Sequence, residues 1–274
     1  MTVCIAAICL NDNNEEHIVC VSDLKLSKGH YSINLGAIKF HRVHPKWVAM
    51  VAGLYAQKEP IVMSVRDALR SQENPMLQEV ESAFTSAYQK FGRQLAEESV
   101  LSPYGLTIQD FLARRADLGD VIYQRLWDDI GKTKVGCDFL VSGFDGYGAH
   151  IFSVSSPSIE NPSFVSDADE PGFAAIGSGS YIAESVLYSL EQQPIHKLHA
   201  TIYNVCAAKF ASETATDVGP LTYLKIVNRE GQLMKITHQM EADIKDIWES
   251  NKPLIPKDAL DLIKKYLNGQ ESKT

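Results

Sequence analysis

Three residues suited to nucleophilic chemistry stand early in this 274-residue chain: Thr2, Asp23 and Lys39. A threonine hydroxyl is a weak nucleophile, and a base must take its proton before it attacks a carbonyl. An ammonium beside such a hydroxyl favours the alkoxide, and a carboxylate keeps that ammonium charged. Singly, the three residues are ordinary. Threonine after an initiating methionine is common, Asp23 suits a turn, and a lysine in an alternating strand such as that of Lys39 is usually exposed. The step Gly177-Ser178-Gly179 reads by itself as a helix start with Ser178 as its cap. It lacks the third glycine of a dinucleotide-binding loop, because position 182 is Ile182.

Hydrophobic period and turn residues give the elements that must position these groups. Residues 3–10 form an apolar run, 11–16 a polar hairpin tip, and 17–21 a returning strand that ends at Ser22 and Asp23. Residues 38–43 alternate, 44–46 turn around Pro45, and 47–52 form a buried strand stopped by Gly53. From Tyr55 to about Ala96 apolar residues recur at helical spacing, as in Ile61, Val65 and Leu69 or Val80, Phe84 and Tyr88, with Pro75 dividing two helices. A loop at 101–105 leads to one or two helices over 107–129. Strands at 137–142 and 149–154 flank a glycine-rich turn, and a short strand covers 173–176. Helices follow at 178–190 and 195–211, then a hairpin of 221–227 with 233–236, then helices at 241–250 and 256–267 before a polar tail. Strand pair, helix pair, strand pair, helix pair predicts an α+β fold: a four-layer αββα sandwich with extra helices.

At Asp23 and Lys39 the pattern becomes specific. Thr2-Val-Cys-Ile-Ala-Ala, Ile18-Val-Cys-Val-Ser-Asp23, Ile38-Lys39-Phe-His and Val48-Ala-Met-Val-Ala-Gly53 follow one another, with Lys39 16 residues after Asp23 and Gly53 14 after Lys39. Ala175-Ile-Gly-Ser178-Gly and Thr216-Asp217-Val-Gly-Pro follow later. Together these segments resemble the β-type subunits of the 20S proteasome and their bacterial relatives, in the N-terminal-nucleophile (Ntn) hydrolase superfamily. The resemblance covers residues 1–236 as one domain, with a helical addition at about 100–130, and leaves 237–274 as a C-terminal helical extension. It implies a threonine hydrolase that cleaves peptide or amide bonds without a cofactor. Thr2 would be the nucleophile once Met1 is removed, and its own α-amine the base. Asp23 would orient Lys39, the Gly53 N–H would face the oxyanion, and Ser178 and Asp217 would hold the Thr2 amine. The pocket for the residue before the cut bond would be lined by Leu26, Ala37, Val51 and Tyr55. A homo-oligomer, in the form of a ring, is implied as well. A proteasome-like subunit without catalysis, serving structure or binding, is the alternative. The chain departs from the family at Pro220, where a serine is common; proline supplies neither a hydroxyl nor an N–H.

Composition narrows the remaining classes. The formal net charge is -8, with 34 acidic against 26 basic residues, which disfavours nucleic acid as a partner. No stretch approaches the roughly 20 apolar residues that span a bilayer, so no membrane partner is expected, and MTVCIAAICL lacks the basic start of a signal peptide. The five cysteines, Cys4, Cys9, Cys20, Cys137 and Cys206, are scattered in apolar runs and read as reduced core thiols of a cytoplasmic protein. The histidine pairs His41/His44 and His196/His199 lack partners at metal-ligand spacing, so no metal site is expected. Trp47, Trp127 and Trp248 read as core or interface anchors.

Overall fold

The computed structural model describes residues 2–28, 31–34, 38–158 and 162–251. Two five-stranded antiparallel sheets form its centre. The first contains β1 (Cys4–Leu10), β2 (Glu16–Asp23), β10 (Phe173–Ile176), β11 (Thr222–Asn228) and β12 (Leu233–Lys235), in the order β10-β1-β2-β11-β12. The second contains β5 (Phe40–His44), β6 (Trp47–Gly53), β7 (Cys137–Phe144), β8 (Ala149–Val154) and β9 (Val165–Asp167), in chain order. A small hairpin of β3 (Leu26–Lys28) and β4 (Tyr31–Ile33) stands apart from both.

The apolar runs of β1 and β6 have a direct cause. A strand covered on both faces has no solvent side, so its sequence does not alternate with polar residues. In β1, Cys4, Ala6 and Ile8 face the second sheet, while Ile5, Ala7 and Cys9 face helices. In β6, Val48, Met50 and Ala52 face the first sheet, and Trp47, Ala49 and Val51 face helices. Three stacked apolar layers result: helices on the first sheet, sheet on sheet, and helices on the second sheet. The helices over the second sheet are α1 (Lys58–Leu69) and α2 (Leu77–Ala96). Val80, Phe84, Ala87 and Tyr88 form the buried stripe of α2. Those over the first sheet are α6 (Ser180–Ser189) and α7 (Leu198–Ser212), with α8 (His238–Ser250) packed on α7.

Several expectations are refined. The helical stretch after residue 107 is three helices, α3 (Ile108–Ala113), α4 (Arg115–Leu118) and α5 (Asp120–Lys132), around a small core of Leu101, Leu106, Phe111 and Leu126. Gly119, at φ +71°, breaks the last two apart. The helix expected at 241–250 starts earlier, because Thr237 caps it by accepting from the Met240 N–H. The helix expected at 256–267 lies outside the described residues. Among the described residues, no helix is long and apolar enough to cross a membrane.

The end of the second sheet near Trp47 is closed by an ionic clamp. His150 stacks on the Trp47 ring and donates from Nδ1 to Asp169 Oδ2 at 2.6 Å. Its Nε2 lies 3.1 Å from Asp145 Oδ1, an ion-pair contact off the hydrogen-bond direction. The Asp169 bond, opposed by burial and helped by Asp145, lifts the imidazole pKa to about 9. The native state therefore holds a proton that the unfolded chain releases near pH 6.5. This contribution to stability is complete below about pH 6.5 and is lost as pH rises toward 9. The stability gap between wild type and His150→Gln, measured by urea unfolding, should be widest near pH 6 and close by about pH 9.

Candidate active site

Thr2 lies just before β1, Asp23 ends β2, and Lys39 precedes β5, so the first two come from one sheet and the third from the other. Backbone pairing sets their approach. Cys4 pairs with Ser22, which places the start of β1 beside the end of β2, and the Asp23 N–H donates to Val3 O. Lys39 O accepts from the Val51 N–H, and Val51 O lies 3.6 Å from Cys4 Sγ, which joins the second sheet to β1 at the same level.

All three side chains are buried, with Thr2, Asp23 and Lys39 at 2%, 0% and 3% exposure. Lys39 Nζ donates to Thr2 Oγ1, and the Thr2 hydroxyl donates to Asp23 Oδ1. Lys39 Nζ also reaches Asp23 Oδ1 at 2.7 Å. The remaining capacity of the carboxylate is filled by backbone. Val3 N–H donates to Oδ1 at 3.0 Å, and the N–H groups of Lys25 and Gly219 donate to Oδ2 at 3.0 and 3.1 Å. The arrangement is a hydroxyl between a cation and a fully satisfied anion, secluded from water, where electrostatic effects are strengthened.

The Gly177-Ser178-Gly179 step grips Thr2 from the other side. Ser178 Oγ donates to Thr2 O at 3.4 Å and Gly179 N–H to the same oxygen at 3.3 Å. Gly177 has φ +93°, and a Cβ there would sit 2.3 Å from Thr2 O, so only glycine permits the approach. Ser178 is thus brought to the carbonyl of Thr2. Asp217 makes no hydrogen bond or ion pair among the described residues. Gly53 ends β6 at φ +90° with its Cα against Gly136 O, where a Cβ would lie at 2.3 Å. This local backbone demand accounts for glycine there independently of any oxyanion.

The expected pocket residues divide. Ala37 lies outside the described residues. Val51 is buried in the helix-side core of the second sheet, and Leu26 is half-buried in β3. The Tyr55 hydroxyl donates to Ile38 O at 3.0 Å, next to Lys39. Two polar neighbours absent from the expectation flank its ring: His41 at 6.2 Å and Lys58 Nζ at 4.4 Å. Burial first, then the Lys58 and Arg66 charges, lower the His41 pKa to about 4, and Lys58 pairs with Glu59 at 2.9 Å. Neither neighbour leaves a net charge near the ring.

Sequence reasoning did not anticipate the backbone donors on Asp23 or the part played by Lys25, whose Nζ donates to Thr216 O at 2.9 Å. The N–H of Gly219 could not be read from residue types, because any residue but proline would supply it. Cys4 is buried and its thiol pushed up to about 12, chiefly by desolvation, which makes it inert as a nucleophile at neutral pH. Among the described residues no group of three or more His, Cys, Asp or Glu is placed to hold a metal ion. No protein-family model matches the chain, and no curated protein aligns with it significantly.

The burial of the pair has a measurable consequence. Lys39→Met leaves Asp23 charged in the interior with no counter-ion, a change that costs about 3–5 kcal/mol in comparable buried pairs. Lys39→Met combined with Asp23→Asn should recover part of that loss, because the stranded charge is gone. Urea unfolding of the two variants tests this; a loss below about 1 kcal/mol for Lys39→Met would place the pair in the range of solvated surface bridges.

Proposed function

We propose that this chain is a threonine N-terminal-nucleophile hydrolase that cleaves peptide or amide bonds, with the αββα layering of the proteasome-type fold. The observation that carries this reading is the Thr2 hydroxyl held between the Lys39 ammonium and Asp23. A buried ion pair is poor evidence of stabilisation, since well-packed apolar residues often do as well. Its placement on a threonine hydroxyl supports a chemical use.

With Met1 removed, Thr2 gains a free α-amine, a group whose ordinary pKa of about 7.7–8.0 suits a general base at neutral pH. The amine takes the Oγ1 proton as Oγ1 bonds to the scissile carbonyl carbon. Lys39 stabilises negative charge on Oγ1 during attack, and Asp23 holds the ammonium in place through their 2.7 Å contact. Collapse of the tetrahedral intermediate breaks the C–N bond, and the leaving amine receives the proton from the Thr2 ammonium. Water then cleaves the ester and restores the hydroxyl. The Gly53 N–H is the proposed oxyanion donor. Assembly into a homo-oligomer belongs to the same reading.

The second reading, a proteasome-like subunit without catalysis, is favoured by Pro220. Its position offers the terminal amine no hydroxyl, and its carbonyl is turned to Lys209 at 3.1 Å. Intact mass and a fluorogenic peptide assay on the native protein separate the two. The hydrolase reading requires loss of Met1 and turnover that Thr2→Ala abolishes while the melting temperature holds. Retention of Met1 in the native preparation would sink it. Because Thr2 and Lys39 act as a unit, Thr2→Ala combined with Lys39→Ala should be little slower than either alone.

Val51 is taken up by the core, so the proposed substrate preference rests on the wall at Leu26 and Tyr55. Lys58 beside Tyr55 is paired with Glu59, and a charged substrate side chain buried against this apolar wall would be costly. An aliphatic one gains roughly 1.5–3 kcal/mol on burial. Across peptides that differ only in the residue before the cut, turnover after Leu, Val or Tyr should exceed that after Arg, Lys, Asp or Glu. Faster cleavage after Arg or Asp than after Leu would move the pocket elsewhere.

A further inference from the structure

Lys209 is the one lysine of α7, a helix apolar on nearly every side, and its side chain is wholly buried. An ammonium so placed is costly unless every proton finds an acceptor. Its Nζ donates to Glu213 Oε1 at 2.5 Å and to Pro220 O at 3.1 Å. Glu213 is held in turn from outside by Lys245 of α8 at 2.7 Å. Burial first lowers the Lys209 pKa, while the Glu213 charge and, more weakly, Asp23 act to raise it, so the ammonium lies within reach of the Asp23 field.

Pro220 is joined by one peptide bond to Gly219, whose N–H is one of the two donors on Asp23 Oδ2. The loop of residues 213–220 therefore has two fixed points close together: Asp23 at Gly219 and Lys209 at Pro220. A third lies at Thr216 O, bound by Lys25. Proline itself offers no N–H to anchor this end, so the carbonyl is its only backbone handle. We propose that Lys209 is a positioning residue: by holding the Pro220 carbonyl from the core side it keeps the Gly219 N–H on Asp23, and so fixes the carboxylate that orders Lys39 and Thr2. The catalytic consequence rests on the hydrolase reading; the structural strap does not.

Lys209→Met keeps the length and apolar stem and removes only the ammonium. Hydrogen exchange followed by mass spectrometry on full-length protein should show faster exchange over residues 213–219. Peptide hydrolysis should lose about tenfold or more in kcat with KM little changed, the pattern of a misplaced catalytic group. Lys209→Arg, which restores a donor to Pro220 O, should recover part of kcat. A lysine that merely stabilised α7 would lower the melting temperature and leave kcat and local exchange unmoved, and that result overturns the proposal. If Lys209→Met does not fold, Glu213→Gln takes its place: Glu213 is partly exposed, and the weakened grip on Lys209 should speed exchange over the same segment, unchanged exchange again overturning the idea. In a wild type that hydrolyses no peptide the hydrolase reading fails, and the exchange data alone decide the strap: faster exchange upholds it, unchanged exchange overturns it.

Discussion

Asp23 is a wholly buried carboxylate, and a charge in that position is costly unless donors surround it. Its two oxygens receive the Thr2 hydroxyl, the Lys39 ammonium and three backbone N–H groups, from Val3, Lys25 and Gly219. Those groups come from the start of β1, the segment after β2, the segment before β5 and the loop before β11. Satisfying one charge thus fixes the relative place of the two sheets and of a connecting loop. The interaction that has to be made for electrostatic reasons is also the one that assembles the candidate site.

The layered architecture makes such a charge tolerable. β1 and β6 are covered on both faces, so the strands that present Thr2 and adjoin Lys39 cannot shift register without moving every side chain to the wrong layer. Groups carried on rigid strands hold their geometry better than groups on loops. The side-chain contacts at Thr2 are held on such a frame, whereas β4 is exposed throughout.

Much of this could be read from the chain itself, and the reasons are specific. The long apolar runs at β1, β2, β6 and β7 and the helical stripe Val80, Phe84, Tyr88 are strong periodic signals, and the elements lie where they predict. β3, β4 and β9 have three residues each, too few to show a period, and β4 is exposed throughout. Thr2, Asp23 and Lys39 were legible because spacing joined three residue types, and the fold brings them into contact. Ser178 was legible as a neighbour of Thr2, yet its hydroxyl meets the carbonyl, and Asp217 makes no hydrogen bond or ion pair among the described residues. Backbone donors carry no residue signature. Lys209 did leave one: a lone charge inside Val205-Cys-Ala-Ala-Lys209-Phe-Ala, with Glu213 four residues on, fits neither an exposed nor a plain core position.

Two glycines, Gly177 against Thr2 and Gly53 at the end of β6, show how tightly the backbone is set. At Gly177 the backbone presses on Thr2 O, and at Gly53 on Gly136 O, each closer than any side chain would allow. Both adopt positive φ, a conformation that other residues enter only with strain. A close backbone contact of this kind cannot be relaxed by choosing another rotamer, because no rotamer is involved. The Thr2 carbonyl is pinned by Gly177 and by the donors from Ser178 and Gly179, while its hydroxyl is pinned by Lys39 and Asp23. Under the proposed hydrolysis, a hydroxyl fixed at both its backbone and its side chain would need little reorganisation before attack, which is the condition under which fixed dipoles and charges act most strongly on a developing oxyanion.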